Sequence, residues 1–75
     1  MVLHQGSIGK EYMIVSLDME YEILRRLEAL GINEGTKVVI MYKKKKGSLV
    51  IKVRGTKWAM GKKITDKIQV REAEA

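Results

Sequence analysis

The sequence predicts a mainly β domain with one helix, built as a small, strongly bent antiparallel sheet or barrel. Three observations indicate this fold class: short runs of alternating β-branched residues, one early segment with helical periodicity, and glycine-containing turns between them, all within 75 residues. A chain of this length buries only about 60% of its unfolded surface, so it forms one core without a separate catalytic domain. We therefore expect a single domain over 1–75, with a core from about 9 to 70 and a frayed tail at 71–75.

The first half of the chain predicts one strand followed by one helix. The strand lies in "EYMIVSL", where apolar residues occupy both faces. The helix follows in "MEYEILRRLEAL", where Ile23, Leu27 and Leu30 recur at helical spacing. Asp18 stands just before this segment and is the predicted N-cap, while Gly31 supplies the left-handed residue that ends the helix.

The second half predicts strands joined by tight turns. Asn33 to Gly35 has turn chemistry, and "TKVVIMYK", "SLVIKVRG", "TKWAM" and "KIQVR" follow as strands. In the first of these, Val38, Ile40 and Tyr42 are expected to point to one face. The segment "KKKKGS" predicts a β-hairpin loop, which places four lysines at an exposed tip.

The charge is distributed unevenly along the chain. The protein has 15 Lys and Arg residues against 9 Asp and Glu residues, a formal net charge of +6 and a pI near 9.7. Residues 37–67 contain eleven basic residues and one acid, whereas residues 1–36 carry a net charge of −3. This polarity predicts a basic side available to acidic partners and does not itself decide the fold.

The composition excludes several classes of chemistry. Cysteine is absent, which excludes disulfides, thiolate nucleophiles and cysteine-based metal sites and suits a reducing compartment. His4 is the one histidine, near a chain end, so neither a catalytic triad nor a histidine metal motif is expected. We expect no catalytic residue, no cofactor and no tight metal site. The longest apolar run, Val38 to Tyr42, is far shorter than the ~20 residues of a membrane span, which predicts a soluble cytoplasmic protein.

Three segments together resemble a known family. The strings "GKEYMIVSL", "RRLEALGINEGTKVVI" and "VIKVRGTKWAMGKKITDKIQV" are similar to the ferrous iron transport protein A (FeoA) family, from about Gly9 to Val70. In this family a helix that ends in the pattern R-L-x-x-L-G-hydrophobic-x-x-G-T opens a small SH3-like antiparallel β-barrel. The matching positions are Arg26, Leu27, Leu30, Gly31, Ile32, Gly35, Thr36, Val53, Gly55, Ala59 and Met60.

The chain also departs from many family members at two places. It carries "KKKKGS" where they have a longer, proline-containing hairpin loop, and Met60-Gly61 where they tend to have Leu-Arg. Related SH3-like domains occur at the C-terminal end of iron-dependent repressors. Because no winged helix precedes the domain here, a free-standing FeoA-type protein is expected.

The resemblance implies a cytoplasmic accessory or regulatory protein of ferrous iron uptake. It implies binding to the FeoB membrane permease, which carries a GTP-binding domain, and no enzymatic activity. An iron-transport family invites a transition-metal site, but the residues favour no tight intrinsic iron site.

Basic and aromatic side chains are the candidates for partner binding. They are Arg25, Arg26, Lys43, Lys44, Lys45, Lys46, Arg54 and Trp58. Arg25 is expected to face solvent and Arg26 to lie near the barrel rim, within reach of Glu22 or a partner acid. Trp58 is a contact hot spot if it is exposed and a core residue if it is buried. Five residues are assigned structural roles: Leu27, Leu30, Gly31, Gly35 and Gly55.

Other partners remain open at this stage. A small basic barrel with Trp58 could bind single-stranded nucleic acid, which is the alternative function, although few aromatic residues could stack on bases. Attraction to an anionic membrane surface, worth about 1 kcal/mol per well-placed Lys or Arg, is a related possibility. A homo-oligomer is compatible with the sequence as well.

Overall fold

The computed structural model describes residues 1–73 as one antiparallel sheet of five strands with two helices. The order of elements is a 3₁₀ turn at Leu3–Gln5, β1 Glu11–Leu17, α1 Tyr21–Ala29, β2 Lys37–Lys43, β3 Leu49–Val53, β4 Thr56–Met60, α2 Lys62–Thr65 and β5 Ile68–Glu72. The mainly β prediction is confirmed. Within residues 1–73, no helix is long and apolar enough to cross a bilayer.

The strands form the sheet in the order β4-β3-β2-β1-β5. Each neighbouring pair is antiparallel. Among the described residues β4 and β5 do not pair with each other, so the sheet has two edges and does not close fully. Of the two forms that the sequence predicts, a bent sheet or a barrel, the structure is the open sheet.

Alternation along the strands builds the core, as the sequence predicts. In β3, Leu49, Ile51 and Val53 are buried while Lys52 faces solvent. In β1, Tyr12 and Ile14 are buried on the same side of the sheet. Each such aliphatic side chain contributes about 1.5–3 kcal/mol through burial, so these alternating positions dominate the stability of the domain.

The helix begins later than predicted. The backbone N–H of Asp18 donates to the carbonyl of Lys67 at 2.9 Å, which continues the pairing of β1 with β5 beyond Leu17. The chain turns into α1 only afterwards, with Glu20 at the N-cap and no side-chain capping bond. The prediction of Asp18 as N-cap is wrong, because strand pairing holds that residue in the sheet.

One side chain of β2 also departs from the predicted alternation. The pairing with β3 shifts register between Ile40 and Tyr42, so the strand contains one irregular residue. Val38 and Ile40 are fully buried, whereas Tyr42 is 49% exposed beside the lysine loop. The shift turns Tyr42 out of the face that it was predicted to share.

The N-terminal segment lies in the core, outside the predicted limits of 9–70. Leu3 is completely buried, Val2 bridges to Gln69, and the Met1 carbonyl accepts a bond from the Val70 N–H at 2.8 Å. At the other end, β5 continues to Glu72, into the tail predicted to fray. The remainder of that predicted tail includes residues 74–75, which lie outside the described residues.

Candidate functional site

A groove of about 370 Å³ separates α1 from β4. Leu27 on α1 is 4% exposed and belongs to the core, whereas Ile23 and Leu30 on the same helix are only partly buried. The apolar stripe of α1 thus extends past the core and forms one wall of the groove. The lining residues are Ile23, Arg26, Leu27, Leu30, Trp58, Ala59, Met60, Gly61 and Ile64.

Trp58 forms part of the opposite wall. Its indole is half-buried and packs against the core, so it serves both as core and as groove surface. The Trp58 Nε1 atom is buried, and no hydrogen-bond acceptor for it exists within the part of the chain that the structure describes. A buried donor without an acceptor costs about 1–3 kcal/mol, which makes this position unusual for a purely structural tryptophan.

The apolar floor continues toward the start of α1. A second hollow of about 230 Å³ shares Ile23 and Ile64 with the groove and adds Met19. Its rim carries charges of both signs, from Asp18, Glu20, Lys63 and Lys67. Together the two hollows form an apolar surface with charged margins, which is the composition typical of a protein-binding site.

The two helix arginines lie in different surroundings. Arg26 is exposed and lines the groove, and no ion pair with Glu22 is found within residues 1–73. Arg25 faces solvent, with its guanidinium carbon 5.7 Å from the centre of the Tyr21 ring, a cation–π contact worth about 0.5–1 kcal/mol. Only Arg26 is therefore available at the groove.

The side chain of Arg54 is hydrogen-bonded at the C-terminal end of α1. Arg54 and Gly55 form the two-residue turn between β3 and β4, with φ values of 51° and 83°. The Arg54 Nε donates to the Gly31 carbonyl at 3.3 Å, where a cation complements the helix C-terminus. Gly31 has a φ of 84°, and a β-carbon there would lie 3.0 Å from Arg54 Cδ and Nε. This contact gives Arg54 a structural role.

A basic depression of about 550 Å³ lies on another part of the sheet and shares no lining residue with the groove. Gly35, the predicted turn residue, borders it with a φ of 84° and donates its N–H to the Ile14 carbonyl at 2.8 Å. The charged residues of the depression are Glu11, Lys37, Lys52 and Arg54.

The lysine loop forms the predicted hairpin tip. Lys43, Lys44, Lys45 and Lys46 are all exposed, and the Lys44 N–H donates to the Ser48 carbonyl at 2.8 Å. None of the four lines the groove, and the side chain of Lys62 lies beside Gly47 of the same loop. The predicted partner-binding residues therefore occupy several separate places, and the fold brings only Arg26 and Trp58 together.

One ion pair lies where β1 begins and β5 ends. Lys10 donates to the Glu72 carboxylate, joining the segment before β1 to the end of β5. The hydrogen bond and the charge of Glu72 raise the pKa of Lys10 above its ordinary value. Both side chains are exposed, so this pair is a surface contact of small energetic weight.

Sequence reasoning missed the contribution of α2 to the site. Between the predicted strands "TKWAM" and "KIQVR", Lys62–Thr65 forms a short helix that brings Ile64 to the groove. Four residues are too few for a periodic apolar pattern, so no signal in the sequence identifies this helix. Thr65 anchors it, because its buried hydroxyl lies 3.2 Å from His4 Nδ1 and 3.4 Å from the Gly61 carbonyl.

Within residues 1–73, no group of three or more His, Cys, Asp or Glu side chains is placed to hold a metal ion. The Nδ1 atom of His4 lies 3.2 Å from the Thr65 hydroxyl. The groove and the adjoining hollow are surfaces suited to recognition.

Comparison with known proteins gives consistent results. The model of the FeoA domain family matches residues 1–72. An Fe(2+) transport protein A of Methanocaldococcus jannaschii is 30% identical over 66 residues, which is 88% of this chain and 79% of that protein. The solution structure of FeoA from Chlorobium tepidum superimposes with a TM-score of 0.91 at 23% identity, covering 99% of this chain and 71% of that one.

A third relative has a solved structure that identifies the fold. The crystal structure of Stenotrophomonas maltophilia FeoA complexed with zinc, described as an SH3 domain protein, matches with a TM-score of 0.79 and 25% identity. The alignment covers 95% of this chain and 89% of that one. The mainly β sheet with one long helix is thus the SH3-like fold, and the chain belongs to the FeoA family, whose members take part in ferrous iron transport.

Proposed function

We propose that this protein is an accessory and regulatory subunit of ferrous iron uptake that binds the cytoplasmic part of a FeoB-type permease through the groove between α1 and β4. The observation that carries the proposal is the apolar groove itself, which places Trp58 and Arg26 at one exposed surface of a FeoA-family chain. The protein then acts by recognition, without catalysis of its own, at the cytoplasmic side of the membrane.

The composition of the groove supports protein binding. Tryptophan and arginine are enriched at the centres of protein interfaces, where they contribute most of the binding energy. Ile23, Leu30 and Trp58 each retain exposed apolar surface that a partner would cover, at about 25 cal/mol per Å². A carbonyl or carboxylate of the partner would also satisfy Trp58 Nε1 after a small rotation of the indole, which would recover part of the cost of the unpaired donor.

The charges around the groove favour an acidic partner surface. Arg26 is the charged residue that lines the groove, whereas the adjoining hollow has Lys63 and Lys67 beside Asp18 and Glu20. An acidic residue of the permease domain would therefore be attracted to Arg26. The lysine loop, Lys43–Lys46, projects elsewhere and would add attraction to anionic headgroups when the permease holds the protein near the bilayer.

Replacing Arg26 with glutamate is expected to weaken binding to the purified GTP-binding domain of the permease at least tenfold, because the groove then repels an acidic partner. Titration can follow the fluorescence of Trp58, the single tryptophan of the chain. Arg25→Glu is the matched control, since Arg25 is adjacent in sequence but stacks on Tyr21 away from the groove. We expect the control to change the dissociation constant by less than twofold.

Two results would contradict this proposal. Equal weakening by the two substitutions would indicate a diffuse charge effect and no groove-specific contact. Binding to short single-stranded oligonucleotides at physiological salt, with none to the permease domain, would instead favour the nucleic-acid alternative; such binding falls steeply as salt rises.

We also propose that the protein holds no tight iron site of its own. The acids near α1 act on helix stability and solubility, and His4 is bonded to Thr65. Anaerobic calorimetric titration with Fe(II) is therefore expected to give no stoichiometric binding heat, and parallel titration with Zn(II) serves as the comparison because the S. maltophilia relative was crystallised with zinc. A one-to-one Fe(II) site of sub-micromolar affinity would overturn this expectation.

A further inference from the structure

We infer that the open edge of β4 accepts an extended strand of the partner, which pairs with the β4 backbone, places alternate apolar side chains in the groove and carries a carboxylate. This inference rests on the proposed function and deepens it, because it names the binding mode and the chemical pattern of the bound segment. It combines an unpaired strand edge with a groove directly beside it.

The register of the β3–β4 hairpin identifies the available backbone groups. The two-residue turn joins Val53 to Thr56, so this pair and the pair Ile51↔Trp58 exchange hydrogen bonds. Lys57 and Ala59 alternate along β4 with these hydrogen-bonded residues. Their N–H and C=O groups therefore point away from β3, toward the free edge. No turn or loop group within residues 1–73 bonds to the backbone of Lys57 or Ala59.

The two edges of the sheet differ in this respect. Along β5, the N-terminal segment covers part of the outer edge, since Val2 bridges to Gln69 and the Met1 carbonyl accepts the Val70 N–H. Along β4, no described strand or segment takes that position. Natural proteins usually protect exposed edges, and β4 is short and carries Lys57 as its one charged residue. An edge left open beside an apolar groove is suited to strand addition.

The groove would receive the side chains of an added strand. Trp58 and Met60 lie on the core side of β4 and line the groove, with Ile23, Leu30 and Ile64 across from them. Because successive side chains of a strand point to opposite faces, every second residue of an added strand would enter this space. The backbone bonds would supply affinity, and the groove would select apolar residues at alternate positions.

Charge indicates which kind of strand fits. Arg26 is the charged residue that lines the groove, and Lys57 projects from the opposite face of β4. A second copy of this chain paired through its own β4 would bring its Lys57 and Arg26 toward the same basic groups, which is unfavourable. A strand with an acidic residue gains opposite-charge pairs at the same positions, so we assign the edge to an acidic and apolar segment of the permease.

The substitution Ala59→Pro tests the backbone contact. Proline removes the outward N–H of Ala59 and leaves the bonds to β3 in place, and prolines are tolerated on edge strands. We expect A59P to weaken binding to the purified permease domain at least tenfold, while the matched control A59S, which keeps the N–H, changes it less than threefold. Equal affinities for the two variants would overturn the inference.

Amide hydrogen exchange in the unmodified protein provides a test that does not depend on how a variant folds. Saturating permease domain is expected to slow exchange at the Lys57 and Ala59 amides at least tenfold, because these groups become bonded. A complex without protection at these two amides overturns strand addition but leaves the proposed function standing. Failure of the unmodified protein to bind the permease domain overturns the proposed function itself, and protection caused by self-association, detected by sedimentation, would assign the edge to a second copy.

Discussion

Replacing Leu27 with alanine is expected to lower the free energy of unfolding by about 2–5 kcal/mol. Leu27 is 4% exposed and is the fully core-facing residue of α1, so its removal opens a cavity between the helix and the sheet. The whole domain is expected to be stable by about 4–11 kcal/mol at this length, which makes the loss a large share of the total. Urea unfolding followed by circular dichroism would measure it.

Glu28→Ala is the matched control for this substitution. Glu28 is adjacent on α1 and exposed, and it forms no ion pair within residues 1–73, so we expect a change within about 0.5 kcal/mol. A near-neutral result for Leu27→Ala would contradict the prediction. It would mean that the apolar stripe of α1 does not hold the helix to the sheet and serves mainly as a surface for a partner.

Local patterns are sufficient to predict most of the strands. Ile14, Ile40 and Ile51 lie in short apolar runs rich in β-branched residues, which favour strands, and all three are buried. Gly31 and Gly35 are predictable for a similar reason, because their φ of 84° is a local property of the chain that favours glycine. These features depend only on neighbours in sequence.

Features that depend on distant partners could not be predicted in this way. Asp18 is a residue type that favours helix N-caps, but its backbone N–H donates to the carbonyl of Lys67, which lies 49 positions further along the chain. Leu3 is buried because the N-terminal segment lies along β5, and no local pattern around it indicates a strand or helix. Pairing between distant segments overrides local preference in both cases.

The candidate site is predictable only in part, for the same physical reason. The sequence singles out Arg26 and Trp58 by residue type, since arginine and tryptophan are enriched at interfaces. It cannot indicate that they share one groove, because that meeting depends on how α1 crosses the sheet. Arg54 was selected by the same criterion, yet its guanidinium is bonded to Gly31 at the end of α1. Residue type alone therefore does not separate a binding arginine from a structural one.

Replacing Gly6 with alanine is expected to destabilise the protein by about 1–3 kcal/mol through overpacking. The backbone of Gly6 is extended, with a φ of −69°, so the cause is space and not conformation. A β-carbon at this position would lie 2.5 Å from Ile40 Cδ1 and 2.9 Å from Tyr12 Cε2. The Tyr12 ring has little freedom to move, because its hydroxyl accepts the Ser7 N–H at 2.7 Å. Thermal or urea unfolding would measure the loss.

Gly61→Ala is a closely matched control for Gly6→Ala. Gly61 is also extended, with a φ of −72°, but nothing lies within 4 Å of a β-carbon there. Gly61 is also the N-cap of α2, where alanine is less favourable than glycine, and this cost opposes the gain from a less flexible unfolded chain. Alanine at 61 should therefore change the free energy of unfolding by less than about 1 kcal/mol. Adding Ile40→Val to Gly6→Ala removes the atom in closest contact, so the double variant should lose less stability than the sum of the two single changes. If Gly6→Ala is as harmless as Gly61→Ala, the N-terminal segment cannot be packed against Ile40 and Tyr12. The core would then begin near β1, as the sequence alone predicts.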